Sequence, residues 1–257
     1  GPGEGLALLA YPSFRFYDGR SASRSWLQEM PDTMTQAVWD PWVEINTETA
    51  TKLGIRRGDV IKLTSPHGAI EVPAYLSASI HPGAVAVPIG HRYAPYHLRM
   101  KYVSAPSGPT NPMALLRATA KAASGSATFL SVRVTLAKTG ARRPLAILQA
   151  THDQDDRELA RHVDLKTARA EALKGKKGEH DLPTMYGGQV YRTYRWGMSV
   201  DVDACIGCQA CVVACQAENN VPIVGKAEAA YGRQVQWLRI ERWAQGPGGQ
   251  AHQAYLP

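Results

Sequence analysis

The residues best equipped for chemistry are four cysteines, the chain's full complement. They form one run, Cys205-Ile-Gly-Cys208-Gln-Ala-Cys211-Val-Val-Ala-Cys215. The spacing C-x2-C-x2-C-x3-C is that of an iron–sulfur ligand run. Three thiolates set two residues apart can curl around one cluster while backbone N–H groups of the loop point at its sulfides. Gly207 permits the close backbone approach this needs. A helix is expected to begin after Cys211. Cys215 lies one helical turn further on, and the expectation is that it faces away from the first cluster and ligates a neighbouring one.

Other uses of cysteine fit less well. A disulfide framework spreads its cysteines along the sequence, and bridges within so short a run would close strained loops. Structural zinc usually takes two separated ligand pairs. A thioredoxin-like C-x-x-C has no need of a third and fourth cysteine. The simple bacterial ferredoxin run carries Pro after its last cysteine, whereas this chain has Gln216, which points away from a small stand-alone ferredoxin.

The elements that must position this run divide into three spans. Residues 1–137 read as short strands and turns. A helix over 47–53, with Thr47 as N-cap and Gly54 as its left-handed stop, precedes a strand over 60–64, a turn at 65–68 and a returning strand over 69–76. Another strand covers 84–89, where Pro88 suggests an edge or a strand end. A helical turn starts at Asn111, and a late strand covers 129–136. Trp26, Trp39 and Trp42 are expected to be packing residues. Short strands, one small helix and many turns make a barrel-like β domain. Residues 138–195 are expected to be a polar linker. Its 152–178 stretch is rich in charge, and its helical span, 157–173, has sparse apolar positions, as a solvated helix would. Residues 196–257 hold the cysteines.

Composition narrows the field. The chain has 257 residues, 44% of them hydrophobic, enough for one or two domains with cores. No run approaches the roughly 20 apolar residues of a spanning helix, so no direct membrane span is expected, and residues 1–5 carry no targeting pattern. Net charge is +7 with a pI near 9.3. The basic residues are scattered and no Lys/Arg stripe is interleaved with aromatics, so no nucleic-acid partner is expected.

The stretch from Trp196 through the cysteines to Gly225, followed by Gly232-Arg-Gln-Val-Gln-Trp-Leu-Arg-Ile240, resembles the electron-transfer subunits of molybdopterin oxidoreductases. The earlier stretches Trp42-Val-Glu-Ile-Asn-Thr-Glu-Thr-Ala50 and Leu53-Gly-Ile-Arg-Arg-Gly-Asp-Val60, with Ser65-Pro-His-Gly68 and His81-Pro-Gly83, look like the C-terminal barrel of the catalytic subunits. Fused in this order, and with Tyr11-Pro-Ser13, Tyr17-Asp-Gly-Arg20 and Trp26-Leu-Gln-Glu29, they resemble the large iron–sulfur subunits of alternative complex III, bacterial quinol-oxidising membrane assemblies.

That resemblance implies a mainly β fold: a double-psi-like barrel of the molybdopterin-dinucleotide-binding type, the linker, and a partial α+β ferredoxin-like domain. It implies 4Fe-4S clusters in a longer parent, with the cluster incomplete or absent in this stretch alone, and no molybdenum. Partners would be a cytochrome c subunit and a quinol-oxidising membrane subunit. The location would be the periplasmic face of the bacterial inner membrane. The alternative is part of a molybdopterin-dependent reductase of the polysulfide or sulfoxide type. His91, Arg92 and His97 follow the 84–89 strand, where a dinucleotide could approach; the plainer reading makes them exposed polar loop residues. No catalytic residues are identified.

Overall fold

The computed structural model describes residues 5–91, 110–117, 125, 130, 132–149, 151–155, 157, 159–160, 163–174, 185, 190–244 and 251–256. The elements in chain order are strand β1 (Leu6–Pro12), helix α1 (Ser25–Glu29), strands β2 (Ala37–Val38) and β3 (Val43–Asn46), helix α2 (Thr47–Lys52), and strands β4 (Asp59–Ser65), β5 (Gly68–Ser77) and β6 (Ala84–Ile89). A 3-10 turn at Pro112–Leu115 precedes strands β7 (Arg133–Arg142) and β8 (Ala146–Ile147). Helices α3 (Leu165–Lys174), α4 (Ala210–Glu218) and α5 (Lys226–Ala230) follow, then strands β9 (Arg239–Ala244) and β10 (Ala251–Leu256).

Six strands close on themselves in the order β1-β6-β3-β5-β4-β7. The pairing is mixed: β1/β6 and β3/β5 run parallel, the rest antiparallel. The barrel is irregular. Among the described residues its closing seam between β1 and β7 is short, with the pairs Leu6–Val134 and Ala7–Arg133 and a bond from Leu8 N to the Val132 carbonyl, and the β4/β7 register shifts between Asp59 and Ile61. The sequence explains the layout. Strand β6 is a continuous apolar run and is buried along its whole length, as a strand covered on both faces should be. Its Pro88 lies beyond the two residues that pair with β3, near the strand end, where a missing N–H costs the ladder least. The core gathers Leu8, Val43, Ile45, Ile61, Leu63 and Val85, with further aliphatic side chains of the same strands.

Several boundaries differ from the sequence expectation, each for a local reason. Helix α2 is capped by Asn46, whose Oδ1 accepts from Glu48 N at 2.8 Å, so Thr47 is the first helical residue instead of the cap. Gly54 does take the left-handed φ of +63° that ends the helix. The late strand starts at Arg133 and runs to Arg142, crossing the boundary expected at 137, because Leu63 and Ile61 of β4 pair with Leu136 and Lys138. Helix α3 begins only at Leu165. Asp164 before it accepts from both the backbone and the hydroxyl of Thr167, at 3.0 and 2.6 Å, which sets the start. Strand β8 falls in the span read as linker and pairs with β2.

Candidate metal centre

The cysteine run sits on a loop that leads straight into a helix. Asp201 opens it: its Oδ1 accepts from Asp203 N and Ala204 N, both at 3.1 Å, which turns the backbone into Cys205. Gly207 then adopts φ +69° and Gln209 φ +61°. The first is natural for glycine. The second is a conformation that a residue with a side chain rarely takes without an external hold. Here the hold is the Gln209 side chain, which is buried and donates from Nε2 to the Ile240 carbonyl at 3.2 Å. Helix α4 starts immediately after, one residue before Cys211, and buries Val212 and Gln216 on its inner side.

None of the four cysteines is in a disulfide; Cys205 and Cys215 are half-buried, and Cys208 and Cys211 exposed. Burial pushes the Cys211 thiol up from its ordinary value. Backbone N–H groups at the head of α4 oppose that shift, and the nearby Cys205 and Cys208 add to it. The thiols do not converge into a finished ligand set: among the described residues, no three His, Cys, Asp or Glu groups are placed to hold a metal ion. Cys211 and Cys215 are four apart within α4, so they lie on the same helix face one turn from each other. Rotation about the helix axis is therefore not what would turn Cys215 away from the first cluster; a one-turn rise along the axis would be. Tyr255 feels both of these thiols, which add to burial in raising its hydroxyl. Asn219 Nδ2 reaches Cys215 Sγ at 3.5 Å. The donor set, four soft thiols on a glycine-bearing loop and the first turns of a helix, suits an iron–sulfur cluster.

The loop and helix rest on residues 28–40, a buried polar turn that spacing in the sequence did not single out. Thr33 Oγ1 donates to the Gly207 carbonyl at 2.6 Å. Gln36 Nε2 donates to the Ile240 carbonyl at 3.2 Å. Glu29, at the end of α1, accepts from Val224 N at 3.0 Å, Gly225 N at 2.7 Å and Trp39 Nε1 at 3.1 Å. Asp40 and Lys226 form a buried ion pair, and burial raises the Asp40 carboxyl. Val38, Trp39, Ala146 and Ala229 pack beside these bonds. Further along, Tyr75 Oη lies 2.7 Å from His152 Nε2, and His152 Nδ1 lies 3.3 Å from the Arg242 carbonyl. The partners are up to 204 residues apart in sequence. The available sequence signal was density alone: Gln28, Glu29, Asp32, Thr33, Thr35 and Gln36 crowd between Trp26 and Trp39 and are all buried.

His91 corrects another expectation. It is 2% exposed, not an exposed loop residue, with the rings of Phe16 and Trp42 edge-on to it at centroid distances of 4.9 and 5.0 Å. Burial, with Arg15 nearby, holds it well below the ordinary histidine value and therefore neutral. Arg15 is itself buried, which lowers it to about 10. Its Nη1 donates to the carbonyls of Gln28 and Met30 at 3.2 and 2.8 Å. The group ties the strand ends to the 28–40 turn. Arg92 and His97 lie outside the described residues.

Residues 14–131 match the family described as Molydopterin dinucleotide binding domain. Over 64 residues the sequence is 42% identical to the menaquinone reductase iron-sulfur cluster-binding subunit of Nitratidesulfovibrio vulgaris, a match covering 24% of this protein and 25% of that one. Over 76 residues it is 38% identical to a tetrathionate reductase component of Archaeoglobus fulgidus, covering 29% and 6%. Over 53 residues it is 40% identical to a polysulfide reductase component of Wolinella succinogenes, covering 21% and 22%. The protein thus spans a quarter or less of the length of these curated relatives. The matches support a relationship to the molybdopterin oxidoreductase family.

Proposed function

We propose that this chain is an electron-transfer component of a quinol-oxidising respiratory complex, of the kind represented by alternative complex III. The observation that carries the reading is the thiol run itself, with its C-x2-C-x2-C-x3-C spacing set on the loop and head of α4. In this reading these three ligate one 4Fe-4S cluster and Cys215 serves a neighbouring one. A bound cluster supplies one-electron chemistry, while the protein holds it and sets its surroundings. The double-psi-like barrel is a scaffold holding no molybdenum. The partners are a cytochrome c subunit and a quinol-oxidising membrane subunit, and the location is the periplasmic face of the inner membrane. Attachment in this reading is through such partners; among the described residues no helix is long and apolar enough to cross a membrane.

The test is anaerobic reconstitution of the longer parent protein with iron and sulfide, followed by metal and sulfide analysis and EPR of the reduced protein. Iron and sulfide in constant proportion, lost in Cys208→Ser, is the expected result. Zinc bound without sulfide would sink the reading.

A second reading is favoured by the match of residues 14–131 and by relatives named as tetrathionate and polysulfide reductases. In it the barrel is part of a molybdopterin-dependent reductase. Molybdenum near one per chain after expression in a cofactor-competent host would decide for it.

A further inference from the structure

Residues 32–37 form a turn that satisfies itself. Asp32 Oδ1 accepts from Met34 N at 3.0 Å, Thr35 N at 2.9 Å and Thr35 Oγ1 at 3.0 Å. Asp32 N donates to the Ala37 carbonyl at 3.1 Å, and Gln36 N to the Asp32 carbonyl at 2.9 Å. With the turn closed internally, the Thr33 hydroxyl and the Gln36 amide engage a distant part of the protein.

Both reach the cysteine loop or its support. Thr33 is 3% exposed and its hydroxyl donates to Gly207, the residue before Cys208, at 2.6 Å. Gln36 donates to the Ile240 carbonyl, which also accepts from Gln209, the residue after Cys208. The exposed Cys208 is therefore flanked on each side by an anchored residue. Those two neighbours hold the left-handed backbone that a free loop would readily leave, Gln209 most readily because it carries a Cβ. The hold on the cysteine loop thus comes partly from residues more than 170 positions earlier in the sequence.

We propose that Thr33 and Gln36 are positioning residues for Cys208. They fix the 207–209 backbone so that this thiol is presented to the cluster, which rests on the iron–sulfur reading above. Groups that orient a metal ligand commonly alter metal retention without touching the metal; here Thr33 acts through the Gly207 carbonyl and Gln36 through the Ile240 carbonyl shared with Gln209.

The test uses the longer parent protein that the iron–sulfur reading implies, with two readouts. The first, in the metal-free protein, is hydrogen exchange at the amides of residues 206–209. The second, after anaerobic reconstitution, is the rate of iron loss to a chelator together with the EPR spectrum of the reduced cluster. Thr33→Val keeps the shape and removes the hydroxyl. Faster exchange at 206–209, about tenfold faster iron loss and an altered EPR line shape are expected, with Thr33→Ser restoring all three. Gln36→Met provides a second variant should Thr33→Val not fold, with the same expectations. Wild-type exchange and wild-type iron retention in these variants would overturn the proposal. A wild-type parent protein that takes up neither iron nor sulfide, while exchange still rises in Thr33→Val, would overturn the iron–sulfur reading and leave the anchoring contact standing.

Discussion

The barrel and the cysteine region are held by different forces. The barrel core is a continuous cluster of large aliphatic side chains, including Leu8, Ile45, Ile61, Leu63, Ile70 and Val85, all essentially inaccessible. The buried apolar residues of 190–244 are few: Val212, Val221, Ala229, Ile240 and Trp243. What fastens that region to the rest is largely a set of hydrogen bonds from side chains of 28–40 to backbone groups of 207–240. Apolar burial is non-directional and tolerant of small movements. Hydrogen bonds to buried backbone groups are directional and costly to leave unmade. The barrel should therefore be robust in place and the cysteine loop fixed in conformation, as the proposed ligand role would require.

The largest expected effect tests the apolar side of this contrast. Ile61→Ala, at a fully buried position on β4, should cost about 2–5 kcal/mol. Because the 28–40 turn sits against the barrel, the loss should appear in both regions as one lowered unfolding midpoint in urea. A midpoint unchanged from wild type would break the contrast.

The next effect tests the polar side. Glu29→Ala orphans the buried N–H groups of Val224, Gly225 and Trp39, at a cost of about 2–3 kcal/mol. Hydrogen exchange should rise across residues 205–244 while the barrel strands keep wild-type protection. Equal loosening of both regions would show that Glu29 supports the whole molecule and not the cysteine side in particular.

A smaller effect comes from pH. Burial lowers both His91 and His152 from the ordinary histidine value. The unfolded state takes up protons at those positions near pH 6.5, while the folded state resists until lower pH. Their contribution is thus complete above about pH 6.5 and is lost as pH falls below it toward the folded values. Urea midpoints measured from pH 7.5 down to 5.5 should fall. His152→Gln should remove part of that fall and weaken the tie from Tyr75 to Arg242, whereas a pH-independent midpoint would contradict the lowering of both rings by burial.

Local chemistry was legible directly from the sequence. The β4–β5 hairpin around Ser65 and Gly68, the strand over 84–89 and the stop at Gly54 each depend on neighbours within a few residues, and each stands as expected. Boundaries slipped where a nearby side chain competed for the same role, as Asn46 did with Thr47 and Asp164 did with the residues from 157 onward. Helix geometry, applied to Cys211 and Cys215, puts them on one face.

Tertiary structure decided the rest, because long-range pairing leaves no periodic trace. Thr33 and Gln36 read as ordinary polar residues until the fold brings Gly207 and Ile240 to them. His91 reads as a loop residue until Phe16 and Trp42 close over it. A thiol's type and spacing are local properties and the sequence carries them whole. The conformation of the loop that presents it is set by hydrogen bonds from a turn more than 170 residues away, and only folding joins the two.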